Sequence, residues 1–143
     1  MVLFFLAKLV GEELAALVAQ DKDYLEADLI MPVPLHRTRL RERGFNQSLL
    51  LSQAISGLIN IPVHQKVLKR IKYTKPQSKL NAAERQQNVK DAFRVIEPGA
   101  VKGKTVIIVD DVLTTGSTIR ACAESLVNAQ VTKVLALTAA AIL

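Results

Sequence analysis

Apolar residues recur along this chain with two different periods, and the change from one to the other predicts its elements. Between Leu9 and Gln20 they fall at Leu9, Val10, Leu14, Leu17 and Val18, the spacing of one helix face. Ala27 to Val33 is a short apolar run closed by Pro32 and Pro34, which reads as a strand entering a loop. Asn46 is an N-cap for a helix reaching Ile59, with Leu49, Leu50, Ala54 and Leu58 expected on its inner side. Val63 to Ile71 has strand character, and Ala82 to Ala92 reads as a helix with a mostly polar face. Thr105 to Val109 is an unbroken β-branched run, as expected of a strand buried on both faces. Ser117 to Ala129 reads as a helix, and Val131 to Thr138 as a last apolar strand.

Strands alternating with helices predict an α/β fold, a parallel sheet with helices on both faces. Ligands on such sheets bind at the carboxyl ends of the strands. The loops after Val33 and after Val109 both fall there. No repeat, low-complexity tract or Pro/Gly-rich linker interrupts the 143 residues, so one domain over 1–143 is expected.

Composition narrows the picture. Half the residues are apolar and 22% are charged, a globular rather than a disordered profile. With aromatics at 4% and no tryptophan, the core must be aliphatic. Cys122 is the one cysteine, which excludes an internal disulfide and a multi-cysteine metal site. Its neighbours Ile119, Ala121, Ala123 and Leu126 mark it as a buried small side chain rather than a reactive thiol. The apolar N-terminus is soon broken by Lys8, Glu12 and Glu13 and lacks a basic n-region and a cleavage pattern, so it is not read as a signal peptide. It is also too short to cross a bilayer. A cytoplasmic protein without a membrane partner is expected.

The net charge of +6 fits a polyanionic substrate or a nucleic acid. Four arginines, Arg37, Arg39, Arg41 and Arg43, lie within seven residues. They fit an anion site, a single-stranded DNA contact, or a solvated edge, since Thr, Leu and Glu alternate with them. Gly44 supplies the turn that lets Asn46 cap the next helix.

The most specific chemistry comes after the strand Val106 to Val109. Asp110 and Asp111 sit at its carboxyl end, followed by Thr114-Thr115-Gly116-Ser117-Thr118 and a helix. Gly116 can take the positive φ of a tight turn and allow close approach to the backbone. Successive amides there, with the first helical turn and the hydroxyls of Thr114, Thr115, Ser117 and Thr118, form a cup of donors for a phosphate monoester. Two carboxylates beside a phosphate are reasonable if a vicinal diol lies between, because ionised carboxylates are acceptors and a ribose diol offers donors. The competing structural reading is an acidic turn with Ser117 or Thr118 capping the helix. No Gly-Lys-Ser/Thr is present after it, which excludes a Walker A loop, and the three spaced glycines of a Rossmann fingerprint are missing.

Residues 106–118 resemble the signature of type I phosphoribosyltransferases. Pro32-Val-Pro-Leu-His36, Arg41-Glu-Arg-Gly-Phe-Asn-Gln47, and the set Thr74, Gln77, Leu80, Arg85, Asn88, Ala92 and Phe93 narrow the resemblance to the ComF/GntX family, linked to natural competence and DNA uptake. It covers the chain from about Ala27 onward. The resemblance implies ribose hydroxyls on Asp110 and Asp111, the 5′-phosphate on Thr114 through Thr118, and pyrophosphate on the loop Leu35, His36, Arg37 and Arg39. It implies a lid at about Tyr73 to Glu84, with Thr74, Lys75, Gln77 and Lys79 its polar members. Arg85 joins Asp110 and Asp111 as a catalytic candidate; pairing with Glu84 or Asp91 is its structural alternative. His64 is given no role.

The implied ligand is phosphoribosyl pyrophosphate with Mg²⁺, and no metal is expected on protein ligands alone. Family members usually begin with a cysteine-rich zinc-binding segment; none is present here, so zinc is not expected. The chain starts late relative to the family, so a reduced or missing hood is expected. Single-stranded DNA, competence proteins and a second copy of the chain are the candidate partners. Three functions remain open: ComF-like phosphoribosyl transfer, a non-catalytic module binding phosphoribosyl ligand or single-stranded DNA, and nucleobase salvage.

Overall fold

The computed structural model describes residues 2–73 and 80–142. Its centre is β4, Thr105–Leu113, which lies between β1, Leu29–Pro32, and β5, Lys133–Ala141, in a parallel three-stranded sheet. Val106, Ile107, Ile108 and Val109 are each at most 1% exposed. Alternation along the strand then divides them between two layers. Ile107 and Val109 pack with Leu14 and Ala15 of α1, Val2–Val18, and with Leu51 and Ile55 of α4, Gln47–Ile59. Val106 and Ile108 pack with Cys122 and Leu126 of α6, Ser117–Asn128. Helices thus cover both faces, as the alternation of periods predicts.

On the α6 side an antiparallel pair closes the core: β2, Leu68–Arg70, against β3, Phe93–Val95. Val63 forms only a single bridge with Ile30, so the strand expected over Val63 to Ile71 divides between two partners. The helix expected over Ala82 to Ala92 is α5, Ala82–Val89, opened by a full capping box between Asn81 and Glu84. It stops short because Asp91 adopts positive φ and Ala92 and Phe93 turn inward to the core.

Three further departures have physical causes. The first helix begins at Val2 rather than Leu9, taking the whole apolar N-terminal run into α1. The buried face of α4 is Ser48, Leu51, Ser52 and Ile55, not Leu49, Leu50, Ala54 and Leu58. The apolar residues of α4 serve two contacts, one with the sheet and one with α1, where Gly11 meets Ala54. Leu58 is left 54% exposed. Finally, Arg37–Arg43 form a helix, α3, that no apolar period announces. The His36 side chain accepts from Thr38 N–H at its start, and Gly44, at φ +80°, ends it. Asn46 then caps α4 through Ser48 N–H, as expected. A short helix, α2, Lys22–Leu25, links α1 to β1, and among the described residues no helix is long and apolar enough to cross a membrane.

The Gly11 contact yields a test. A Cβ there would lie 2.5 Å from Ala54 Cβ, inside the contact of two helices. Alanine gains about 1 kcal/mol of helix propensity over glycine, whereas overpacking costs roughly 1–3 kcal/mol. Gly11→Ala should therefore be neutral to destabilising by up to about 2 kcal/mol in urea denaturation, and Gly11→Val clearly more so. Stabilisation by Gly11→Ala would show that α1 and α4 do not touch there.

Candidate functional site

Parallel strands deliver their carboxyl ends to one rim, and a cavity of about 380 Å³ opens there. Three segments form its walls. The loop after β1 contributes Val33 to His36, α3 contributes Arg39 and Arg43, and β4 with its following loop contributes Asp110, Asp111, Val112, Thr114 and Thr118. Arg70 and Tyr73 close the remaining side. The sequence therefore anticipates the two end walls, while the arginines that join them are positioned by α3 and β2.

Asp110 is the most constrained of these groups. It is 9% exposed, accepts from Ser48 Oγ at 3.2 Å, and also accepts from Asp111 N–H at 2.9 Å. Burial, reinforced by the adjacent Asp111 carboxylate, pushes its pKa up to about 7. Asp111 is less enclosed, and its Oδ1 takes Val112 N–H at 2.9 Å. Cys122, fully buried behind the site, has its thiol pushed up by burial and by Asp110, which fits a packing residue and not a nucleophile.

The loop after β4 has the conformation its sequence suggests. Gly116 sits at φ +80°, where an L side chain would be strained. It is also the N-cap of α6, and no side chain caps that helix. The reading in which Ser117 or Thr118 caps the helix is therefore corrected. Thr115 and Ser117 share a hydroxyl–hydroxyl bond of 2.7 Å, which stiffens the loop from within. Gly116 offers the first turn of α6 no capping side chain, and of its amides Ser117 N–H donates to Thr115 Oγ1 at 3.4 Å.

Of the loop after β1, Leu35, His36 and Arg39 line the cavity, and the His36 ring packs against Tyr73 at 5.3 Å. Arg37 points elsewhere, into a neighbouring cleft. Arg39 pairs with Glu42 at 3.3 Å and Arg43 donates to Gln47 at 2.5 Å, both on the solvent side. Arg85 does not line the cavity; its Nε is buried on α5 without a partner among the described residues, and no ion pair to Glu84 or Asp91 forms there. Thr74, Lys75, Gln77 and Lys79 lie outside the described residues.

Sequence reasoning missed Ser48 and Arg70. Ser48 had a faint signal, a hydroxyl on what becomes the buried face of α4. Arg70, lying over the Phe93 ring at 5.4 Å with burial lowering its pKa, had none, because only the β2–β3 pairing brings it to the cavity.

Comparison with known proteins agrees with this geometry. A family model described as phosphoribosyl transferase domain matches residues 48–141. Competence protein F of Haemophilus influenzae is 43% identical over 93 residues, covering 64% of this chain and 41% of that protein. DNA utilization protein YhgH of Escherichia coli K12 is 42% identical over 101 residues, covering 71% of this chain and 44% of that protein. The chain thus spans less than half the length of these curated relatives. Glutamine phosphoribosylpyrophosphate amidotransferase from B. subtilis, solved with ADP and GMP, shares the fold at a TM-score of 0.62 and 23% identity, over 93% of this chain and 26% of its own. The chain belongs to the phosphoribosyltransferase domain family and, within it, is of ComF type.

Proposed function

We propose that the rim cavity binds phosphoribosyl pyrophosphate and that the chain works in phosphoribosyl transfer linked to competence or DNA uptake. The observation that carries the reading is the convergence on one cavity of an acidic pair, Thr114 and Thr118 of the loop that leads into α6, and an arginine wall. In this reading the 5′-phosphate lies on the Thr114–Thr118 segment, where backbone amides and the Thr114 and Thr118 hydroxyls donate to it. The ribose diol donates to Asp110 and Asp111. The pyrophosphate faces Leu35, His36, Arg39 and Arg43.

Transfer breaks the bond between C1 of the ribose and the pyrophosphate oxygen, which leaves with the bonding pair, while an acceptor forms a new bond at C1. The protein's part is to hold the sugar, neutralise the departing charge with Arg39 and Arg43, and keep water from C1. Mg²⁺ accompanies a pyrophosphate, and its charge would offset the repulsion between the Asp110 and Asp111 pair and the substrate phosphates. When bound it would supply positive charge to the leaving group. The names of the similar proteins, Competence protein F and DNA utilization protein YhgH, support the link to DNA uptake.

Phosphoribosyl pyrophosphate with Mg²⁺ should raise the melting temperature, and adenosine triphosphate should do so less. No shift at millimolar ligand would sink the assignment. Replacing Asp111 by Asn removes a charged acceptor worth about 1.5–3 kcal/mol per bond, so affinity for the sugar ligand should fall roughly tenfold or more. Inorganic phosphate, which has no diol, should bind Asp111→Asn as well as the parent. Gly116→Val should lose both ligands, because a β-branched residue resists φ +80°.

The Asp110 pKa predicts pH effects of opposite sign for folding and for binding. Its folded value of about 7 lies above the ordinary 3.8, so the native state holds a proton that the unfolded chain releases. The stability it contributes is complete below about pH 4 and is lost as pH rises through about 7, by a few kcal/mol at most. Asp110→Asn should therefore gain stability relative to the parent between about pH 5 and 8 in thermal melts. Ligand binding that needs the ionised carboxylate should instead tighten over about pH 6 to 8, and Asp110→Asn should flatten that rise. A parallel pH dependence of stability in parent and variant would remove Asp110 as the titrating group.

A further inference from the structure

Helix α3 is a partition. Its Arg39 and Arg43, one turn apart, face the cavity described above, whereas Arg37 and Leu40 face a second cleft of about 380 Å³ on the other side. The two clefts share Pro34, Leu35 and Arg70 as a common wall. The volume lies within the range that holds small organic ligands.

The second cleft has a distinct chemical character. Leu40, Leu49, Leu68 and Pro34 give it an apolar floor, with Asn46 and Gln65 as uncharged polar members of the lining. Its rim carries Arg37, Lys69 and Arg70, and no acidic side chain lines it. Neither Arg37 nor Lys69 forms an ion pair among the described residues, in contrast to Arg39, which Glu42 engages. Those two cations are therefore open to an outside anion. A plain inorganic anion would leave the apolar floor wet, and a plain hydrocarbon would gain nothing from the cations. A planar apolar ring bearing an anionic group satisfies both, with the ring on the leucines and the anion at Arg37 and Lys69.

We propose that this cleft is a second ligand site, separate from the rim cavity, that takes a small aromatic anion. The site is built from residues outside the acidic pair and the Thr114–Thr118 loop, so it does not rest on the phosphoribosyl reading. Its shared wall with the rim cavity means that a ligand in one touches residues that line the other.

Methyl and amide NMR of the full chain can separate the two sites, with phenyl phosphate as the probe and the amides of Thr114 through Thr118 read beside the leucine methyls. Phenyl phosphate should shift the methyls of Leu40, Leu49 and Leu68, and phenol at the same concentration should shift them about tenfold less effectively. The double variant Arg37→Gln, Lys69→Gln should weaken the methyl response about tenfold or more. Both side chains are exposed, so the variant should fold, and its melting temperature checks this. Methyls that stay still at millimolar phenyl phosphate, or that respond equally to phenol or in the double variant, would overturn the proposal. Shifts confined to the amides of Thr114 through Thr118 would also overturn it, while leaving the rim cavity's phosphate binding supported.

Discussion

Strand β4 is wholly apolar from Val106 through Val109 and acidic at the next two positions, and this change of character at the end of a central strand constrains the rest of the molecule. A strand buried on both faces needs helices above and below it, and parallel neighbours need crossover connections. Both requirements bring the loop after β1 and the loop after β4 to the same rim. The carboxylates emerge where the helical layers end, close enough to the core for Asp110 to remain 9% exposed. The amino end of α6 comes one short loop after Asp111 and opens toward the same rim.

Enclosing Asp110 has an electrostatic cost that its hydrogen bonds do not cancel. Ser48 Oγ and the Asp111 amide donate to it, yet its pKa still rises to about 7, because desolvation and the second carboxylate outweigh those bonds. The surface ion pairs of α1, α2, α3 and α6 are exposed and each contributes little to stability. A ligand that brings its own positive charge or hydroxyl donors to the acidic pair would relieve a cost that the fold itself leaves in place. This is the usual relation between a binding site and the stability it forgoes.

The arginines of α3 illustrate how one short helix can serve two surfaces. A helical turn carries Arg39 and Arg43 to one side and Arg37 and Leu40 to the other, so a basic run that looks continuous in the sequence is divided between two clefts. The His36 cap and Gly44 fix where the turn starts and stops, and thereby which arginine faces which cleft.

The sequence alone determined the strand–loop–helix around Asp110 to Thr118, because each of its parts is a local property: β-branched residues for the strand, a glycine for the positive φ, a helical period for α6. The capping of α4 by Asn46 is legible for the same reason, and the parallel sheet follows from the alternation of strand and helix periods along the chain. What it could not determine depends on partners distant in the chain. The buried face of α4 is not legible because α1 and the sheet compete for its apolar residues. Helix α3 is not legible because it has no buried residue and so no apolar stripe; the His36 cap and Gly44 bound it instead. Arg70 reaches the cavity only through pairing with β3, and Ser48 becomes a donor to Asp110 only when α4 lies across β4. The pKa of Asp110 was out of reach for a related reason: it measures how much water the surrounding elements exclude, a quantity that exists only once they have packed.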